Sequence, residues 1–424
     1  MATRRSRGAP LIPTQSQRQA ARALTVGLVM SVTVYAVEAV AILTAMPAVS
    51  RDLHGDNLYG LAFATYMGAT VIALVIAGHQ ADRYGPGRPF LASAALFAAG
   101  LIIAGSAPSM TVVVIARAIQ GLGGGGLATI AYVGVGRGYP PDRQSRVFAY
   151  ISTAWVVPGL LAPVVAGYVA EHWSWRYVFF GVLPFVVVAL ILTFPALHAL
   201  GPPAESSARR LRDRFKRLVP HGTWRAAPGL PATVMARFCI SYGFFGADTF
   251  IPLAATRIHH VSNVKAGLVI TGSTLTWTVG SWITSRWSKT APSRQIVGLG
   301  VILLALGVAA TTIVAWGSTS LVLVAAVWSI GGLGMGLAFT QSSLYALGHA
   351  PGGHEGEVSA QLQVADAIGA ALAGGVGGLI VALYGDRALT SAIVTLYLIA
   401  IVVAASGRLA ANRLTNGHRA AATA

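Results

Sequence analysis

The chain has 424 residues, of which 55% are hydrophobic and only 10% charged, and its mean hydropathy of +0.66 lies far from a soluble profile. The formal charge of +17 does not point to nucleic acid, because the basic residues stand between apolar runs and not beside stacking aromatics. A single cysteine, Cys239, excludes a disulfide framework or a cysteine-built zinc site, and none of the three lysines (Lys216, Lys265, Lys289) follows a glycine, which excludes a GxxxxGK[ST] phosphate loop. ATP is therefore not the expected energy source.

A bilayer-spanning helix takes roughly 20 mostly apolar residues. Residues 1–22 carry five arginines and read as a cytoplasmic basic tail. The run that follows is too long for a signal peptide and lacks a small-residue cleavage site, so it reads as a retained first span. Apolar runs then fall at 23–48, 57–79, 89–107, 110–136, 147–170 and 176–199, and again at 229–256, 264–285, 295–316, 318–347, 357–383 and 388–407. The expected fold is an all-α integral membrane protein: an N-terminal six-helix bundle over 23–199, a basic linker over 200–228, a C-terminal six-helix bundle over 229–407 and a tail over 408–424. The linker holds Arg209, Arg210, Arg212, Arg214, Lys216, Arg217 and Arg225. It is too polar to span, with helix-like character around residues 208–218.

Alternation of sides places 23 of the 30 Lys+Arg with the two termini. The opposite face receives only Arg51, Arg176, Arg257, Lys265 and Arg387. By the positive-inside rule both termini are expected in the cytoplasm. One inner connection departs from the pattern, since Glu355 and Glu357 precede the eleventh span without a basic neighbour; acids suit the amino end of a helix.

The halves also repeat. Ile119, Gly121, Leu122, Gly123 and Gly125 of the fourth span match Ile330, Gly332, Leu333, Gly334 and Gly336 of the tenth at an offset of 211. The same offset carries Val147, Ala149, Ala154, Ala162 and Gly167 onto Val358, Ala360, Ala365, Ala373 and Gly378. Two similar bundles around a central site are the layout of an alternating-access transporter.

Between the second and third spans the chain reads GHQADRYGPGR, Gly78 to Arg88. It resembles the GxxxDRxGRR loop of the major facilitator superfamily. Gly78, Asp82, Arg83 and Gly85 match, Arg88 stands for the basic pair, and Pro86 and Gly87 depart from it. The resemblance implies a conformational-switch loop in which Asp82 holds a helix amino end or an arginine in one state and releases it in the other. A solvated turn with orienting charge is the plainer alternative.

The fourth span carries RAIQGLGGGG, Arg117 to Gly126, similar to the RxxQG segment of drug and proton exchangers in that superfamily. An arginine inside a span costs roughly 2.5 to 3.5 kcal/mol on insertion scales, so Arg117 needs a partner unless it snorkels outward. Gln120, Gly121 and Gly124 share its face. In the fifth span Pro158, Gly159, Ala162, Pro163, Ala166 and Gly167 partly match the family's GxxxGPxxGG antiporter pattern, with alanine in place of two glycines. WSWRYVFF, Trp173 to Phe180, resembles the family's connection into the sixth span.

Five charges lie inside the apolar runs: Glu38, Arg117, Arg237, Asp248 and Asp366. Intramembrane charges mark functional sites by default. With Gln120 they form the expected proton-coupling and substrate-cavity set. Low dielectric favours the neutral form of a carboxyl group, so Glu38 or Asp366 is expected to exchange a proton. Asp248, followed by Pro252, reads as a carboxylate at a flexible gate for a cationic ligand. The alternative is structural pairing, for instance of Arg237 with Asp366. Tyr35, Tyr242, Phe244, Phe245 and Trp328 are candidates to enclose a lipophilic cation or simply to pack.

These readings converge on a secondary transporter that exports lipophilic or cationic small molecules in exchange for protons, working as a monomer in a bacterial cytoplasmic membrane. Its partners would be substrate, protons and the lipid bilayer, with no nucleic acid, cofactor or metal. An exporter of one metabolite or sugar without proton exchange is the alternative. An enzyme is not expected, since HExxH, GxSxG and clustered His and Cys are missing.

Overall fold

Inside a bilayer every backbone N–H and C=O must be satisfied within the protein, so long apolar runs fold as helices. The computed structural model describes residues 15–139, 156–202, 218–315, 320–350, 355–385 and 388–415, with Arg143, Val147, Tyr150 and Ala154 besides. Among these residues there is no strand. The first half comprises α1 (Gln15–Asp52), α2 (Tyr59–Tyr84), α3 (Gly87–Gly105), α4 (Met110–Gly138), α5 (Val156–Val169) and α6 (Arg176–Ala199). The second comprises α7 (Leu230–Asp248), α8 (Ile251–Arg257), α9 (Asn263–Trp287), α10 (Ser293–Thr311), α11 (Leu321–Gly348), α12 (Glu355–Tyr384) and α13 (Leu389–Ala411).

α7 and α8 are the two pieces of the seventh apolar run. Pro252 enters α8 near its amino end, and with no N–H to give it cannot continue the ladder from α7. The helix breaks at Thr249 and Phe250, as the sequence suggests. α1 begins before the apolar run and α13 continues four residues past its expected end at 407, because flanking Gln, Arg and Ala residues are good helix formers that carry the helix beyond the hydrocarbon. The linker charges Arg209, Arg210, Arg212, Arg214, Lys216 and Arg217, the tails at residues 1–14 and 416–424, Ala149, Arg387 and the side chain of Glu355 lie outside the described residues.

Among the described residues, ten helical stretches are long and apolar enough to cross a membrane. The expected twelve spans require α5 and α9 as well: α5 is described over 14 residues, and α9 is 25 residues long but rich in Thr, Ser and Gly. Apolar side chains face outward where lipid would lie. On α5, Val157, Leu161 and Val165 recur every fourth residue on the exposed face, while Pro158, Gly159, Ala162, Pro163, Ala166 and Gly167 are all buried on the other. Exposed Trp173, Trp224 and Trp282 suit the membrane–water boundary.

The halves meet mainly through two helix pairs, α2 with α12 and α5 with α9, with α1 also touching α8 and α9. These pairs are mates under the internal repeat, since Gly167 of α5 and Gly378 of α12 share the offset of 211 and both sit at the seam. Small residues permit the approach. A Cβ on Gly60 would collide with the backbone of Gly374 and Gly378, and one on Gly167 would lie 2.8 Å from Val264 Cα. Gly60→Val is therefore expected to wedge this seam apart. Overpacking of roughly 1 to 3 kcal/mol would lower the closed population about 5- to 150-fold, read as a longer distance between spin labels on α2 and α12.

Candidate functional site

In the first half, α1 and α4 cross so that the buried Glu38 carboxylate accepts a hydrogen bond from the Arg117 guanidinium. Arg117 is 2% exposed and Glu38 fully buried, which excludes snorkelling. Arg117 also donates to Gln120 Oε1 at 3.1 Å, and its guanidinium carbon stands 3.9 Å from the centre of the Tyr66 ring. Tyr66 in turn stacks on Tyr35 at 6.4 Å. The partner demanded by an arginine in a span is thus an acid from another helix, and the α4 glycines serve the close approach: Gly121 abuts the Tyr66 carbonyl and Gly124 the Tyr35 ring.

In the second half Arg237 of α7 joins α11 and α12. Its Nε donates to Asp366 Oδ1 at 2.6 Å. Its Nη1 donates to the Phe339 carbonyl at 2.6 Å and to Ser342 Oγ and Ser343 Oγ, each at 2.9 Å. Ser241 Oγ completes the carboxylate shell with a 2.6 Å bond to Asp366 Oδ1. Asp366 retains 19% side-chain exposure, so this pair borders open space. Tyr132 of α4, 40% exposed, lies within electrostatic range of both Arg237 and Asp366.

Asp248 is placed differently. It ends α7 at 5% exposure and accepts a 2.9 Å bond from the Trp328 indole nitrogen, with no ion pair among the described residues. The internal repeat explains the arrangement. Trp328 stands at the offset of 211 from Arg117, and Asp248 holds in α7 nearly the place of Glu38 in α1. The two halves thus build the same acid-to-neighbour bond, with guanidinium in one and a neutral indole in the other.

Two expectations need correction. Asp248 does not line open space in this conformation, because Trp328, itself fully buried, covers it. Trp328, Tyr242 and Phe244 are likewise buried and not presented to a ligand: Phe244 lies between Trp328 at 5.1 Å and Trp277 at 5.3 Å, packed as core aromatics. Tyr35 and Phe245 keep partial exposure. Sequence reasoning missed Tyr66, Tyr132, Ser342 and Ser343. Trp328 as Asp248's partner was findable, because the repeat aligns it with Arg117.

The end away from the termini is sealed between the halves. Tyr59 Oη donates to the Thr249 carbonyl at 3.0 Å, Arg257 pairs with Asp56, and Glu171 Oε1 accepts from Val264 N at 2.9 Å. Gly159 meets the Thr274 side chain, and a Cβ on Gly267 would lie 3.0 Å from Pro163, so the buried α5 face is the seam itself. Near the termini Arg137 reaches the Leu200 and Gly201 carbonyls at 3.1 and 2.9 Å, a bond within one half.

The loop Gly78 to Arg88 lies at that second end. Gly85 takes φ +80° against the Gly201 backbone, a conformation that favours glycine. Arg83 and Arg88 are exposed and Gly78 and Asp82 half-buried. Asp82 stands in the last turn of α2, where the helix dipole disfavours an anion, and just before the amino end of α3, where it is favoured. Asp82→Asn is expected to insert and fold normally but to slow initial transport rates about 5- to 150-fold, the range of a 1 to 3 kcal/mol conformational coupling. Wild-type rates in a well-expressed variant would refute this.

The sequence pattern of the family described as Major Facilitator Superfamily matches residues 26–374 and, in a second match, 233–420. A probable multidrug-efflux transporter of Mycobacterium tuberculosis is 23% identical over 444 residues, covering 92% of this chain and 93% of its own length. Multidrug resistance protein 3 of Bacillus subtilis is 27% identical over 177 residues, 42% of this chain and 35% of its own. Among solved structures, a bacterial homolog of the human lysosomal transporter Spinster, inward-facing and occupied, superposes with a TM-score of 0.73 at 16% identity, covering 95% of this chain and 98% of the other. A D-xylose–proton symporter gives 0.72 at 13% identity, covering 93% and 98%.

Proposed function

Because the chain belongs to the major facilitator superfamily, we propose that this membrane transporter exports lipophilic or cationic small molecules in exchange for protons, as a twelve-span monomer of a bacterial cytoplasmic membrane with both termini inside. In that orientation the sealed end faces outward. Alternating access then exchanges the α2–α12 and α5–α9 seam for closure at the Asp82 end. The efflux reading is supported by relatives bearing that name over nearly the whole chain.

The observation that carries proton coupling is the set of three acids within the spans. Glu38 and Asp366 are each held by an arginine, whereas among the described residues Asp248 has only the Trp328 indole. An ionised carboxylate buried without a cation is strongly disfavoured. Asp248 is therefore the acid we assign to proton exchange, with Glu38–Arg117 and Asp366–Arg237 as the framework that holds α1, α4, α7, α11 and α12 around the cavity. The test is transport of ethidium by purified protein in vesicles with an imposed pH gradient. Uphill movement that collapses with a protonophore is expected. Movement that only follows the ethidium gradient, indifferent to the protonophore, would overturn the proposal.

A further inference from the structure

At the sealed end a cavity of about 280 Å³ is lined by Arg51, Thr256, Arg257, His260 and Val261. Arg51 closes it from α1 in the first half; the others come from α8 and the residues after it. The face on which it lies is poor in basic residues, yet two of its five, Arg51 and Arg257, meet here with a histidine. Of the acids nearby, Asp52 is committed away from the cavity, whereas Asp56 pairs with Arg257 of the cavity wall and keeps its buried Oδ1 without a hydrogen-bond partner among the described residues. Asp52 accepts from Trp175 Nε1 at 2.9 Å and Arg176 Nη1 at 3.1 Å. The side chains of Arg51 and His260 have no hydrogen-bonding or ionic partner among the described residues, and the buried Nε of Arg257 is also without one. His260 occupies the left-handed region at φ +52°, a strained setting for a residue other than Gly, Asn or Asp. Its neighbour His259 is anchored to the Val314 carbonyl at 2.8 Å, which fixes the loop that presents it.

We propose that this cavity is an anion site for a phosphate group, clamped by Arg51 of one half and Arg257 and His260 of the other. Forked guanidinium donors suit tetrahedral oxyanions, and the side chains of Arg51 and His260 are not engaged by any other group among the described residues. Because the clamp draws on both halves, it exists only while this seam is shut. A bound phosphate therefore favours the closed seam by linkage, to the extent that it binds that state better. The phosphate comes from solution or from an anionic lipid headgroup.

The test uses the full chain, with inorganic phosphate as the probe and chloride of matched ionic strength as control. In detergent, phosphate should raise the unfolding temperature saturably. The half-saturating concentration should rise at least tenfold in Arg51→Gln and in His260→Asn, the latter chosen because asparagine tolerates the left-handed backbone. Neither side chain holds the seam, so both variants should retain wild-type stability without phosphate. In phosphatidylcholine vesicles the phosphate response should persist. If it vanishes when phosphatidylglycerol is added, the headgroup is the occupant, and if it persists there, the free anion is; both support the site. No saturable response beyond chloride, or an equal response in both variants, would overturn it, whatever the outcome of the ethidium experiment.

Discussion

Asp248→Asn is expected to abolish uphill, pH-gradient-driven export while substrate counterflow across the same vesicles continues. The change is nearly isosteric, and the asparagine oxygen still accepts the bond that Trp328 Nε1 makes to Asp248 at 2.9 Å, so packing at the end of α7 is preserved. What disappears is the capacity to bind and release a proton. The position amplifies that loss: Asp248 directly precedes the Thr249–Phe250 break, the Thr249 carbonyl accepts from Tyr59 across the seam, and the Ala247 carbonyl accepts from Tyr397 at 3.3 Å. Charge at Asp248 is thus one residue from the joint that seals the end away from the termini. The loss should be equal for a cationic and a neutral substrate, because the carboxylate is screened from the cavity by Trp328. A loss confined to cationic substrates would return Asp248 to ligand selection. Trp328→Arg offers an independent check, since it recreates the guanidinium that Arg117 supplies in the other half. It should hold Asp248 as a permanent ion pair and uncouple transport in the same way, and Trp328→Phe, which adds no charge, should retain coupling.

Much of the architecture is legible from the chain because hydropathy and loop charge are strong, local signals. The runs at 89–107 and 176–199 coincide closely with α3 and α6, the run at 57–79 with α2 except that the helix continues to Tyr84, and Pro252 marks the interruption of the seventh span. The offset of 211 that aligns Gly121 with Gly332 also relates the seam glycines Gly167 and Gly378. What the chain does not disclose is which charges meet. Arg117 announces its need of a partner, but the choice of Glu38 over Asp248 or Asp366 depends on how α1 crosses α4, and no local pattern encodes a crossing. The burial of Trp328 is hidden for the same reason: an aromatic on an apolar helix faces lipid, cavity or core according to neighbours far away in sequence. Tyr66 is the extreme case. It stands in an ordinary apolar stretch of α2, and only the packed structure shows it capping the Arg117 guanidinium.

Glu38→Gln should then cost more in stability than Asp366→Asn, although both remove a carboxylate from an arginine. With Glu38 neutralised, the Arg117 guanidinium, 2% exposed, keeps only Gln120 and the face of Tyr66, and removing one partner of a buried pair typically costs about 3 to 5 kcal/mol. With Asp366 neutralised, Arg237 keeps the Phe339 carbonyl, Ser342 and Ser343, and the site borders open space through the 19% exposure of Asp366. Water can therefore reach the charge, and the cost should fall nearer the roughly 1.5 to 3 kcal/mol of a single charged hydrogen bond. Thermal unfolding in one detergent, followed by loss of the monodisperse peak, ranks the two variants directly. The double variant Glu38→Gln with Arg117→Met should recover much of the loss, because a buried pair replaced by neutral groups of similar volume is often close to neutral in stability. If the double variant is no more stable than Glu38→Gln alone, the carboxylate supports the α1–α4 crossing by some route other than neutralising Arg117.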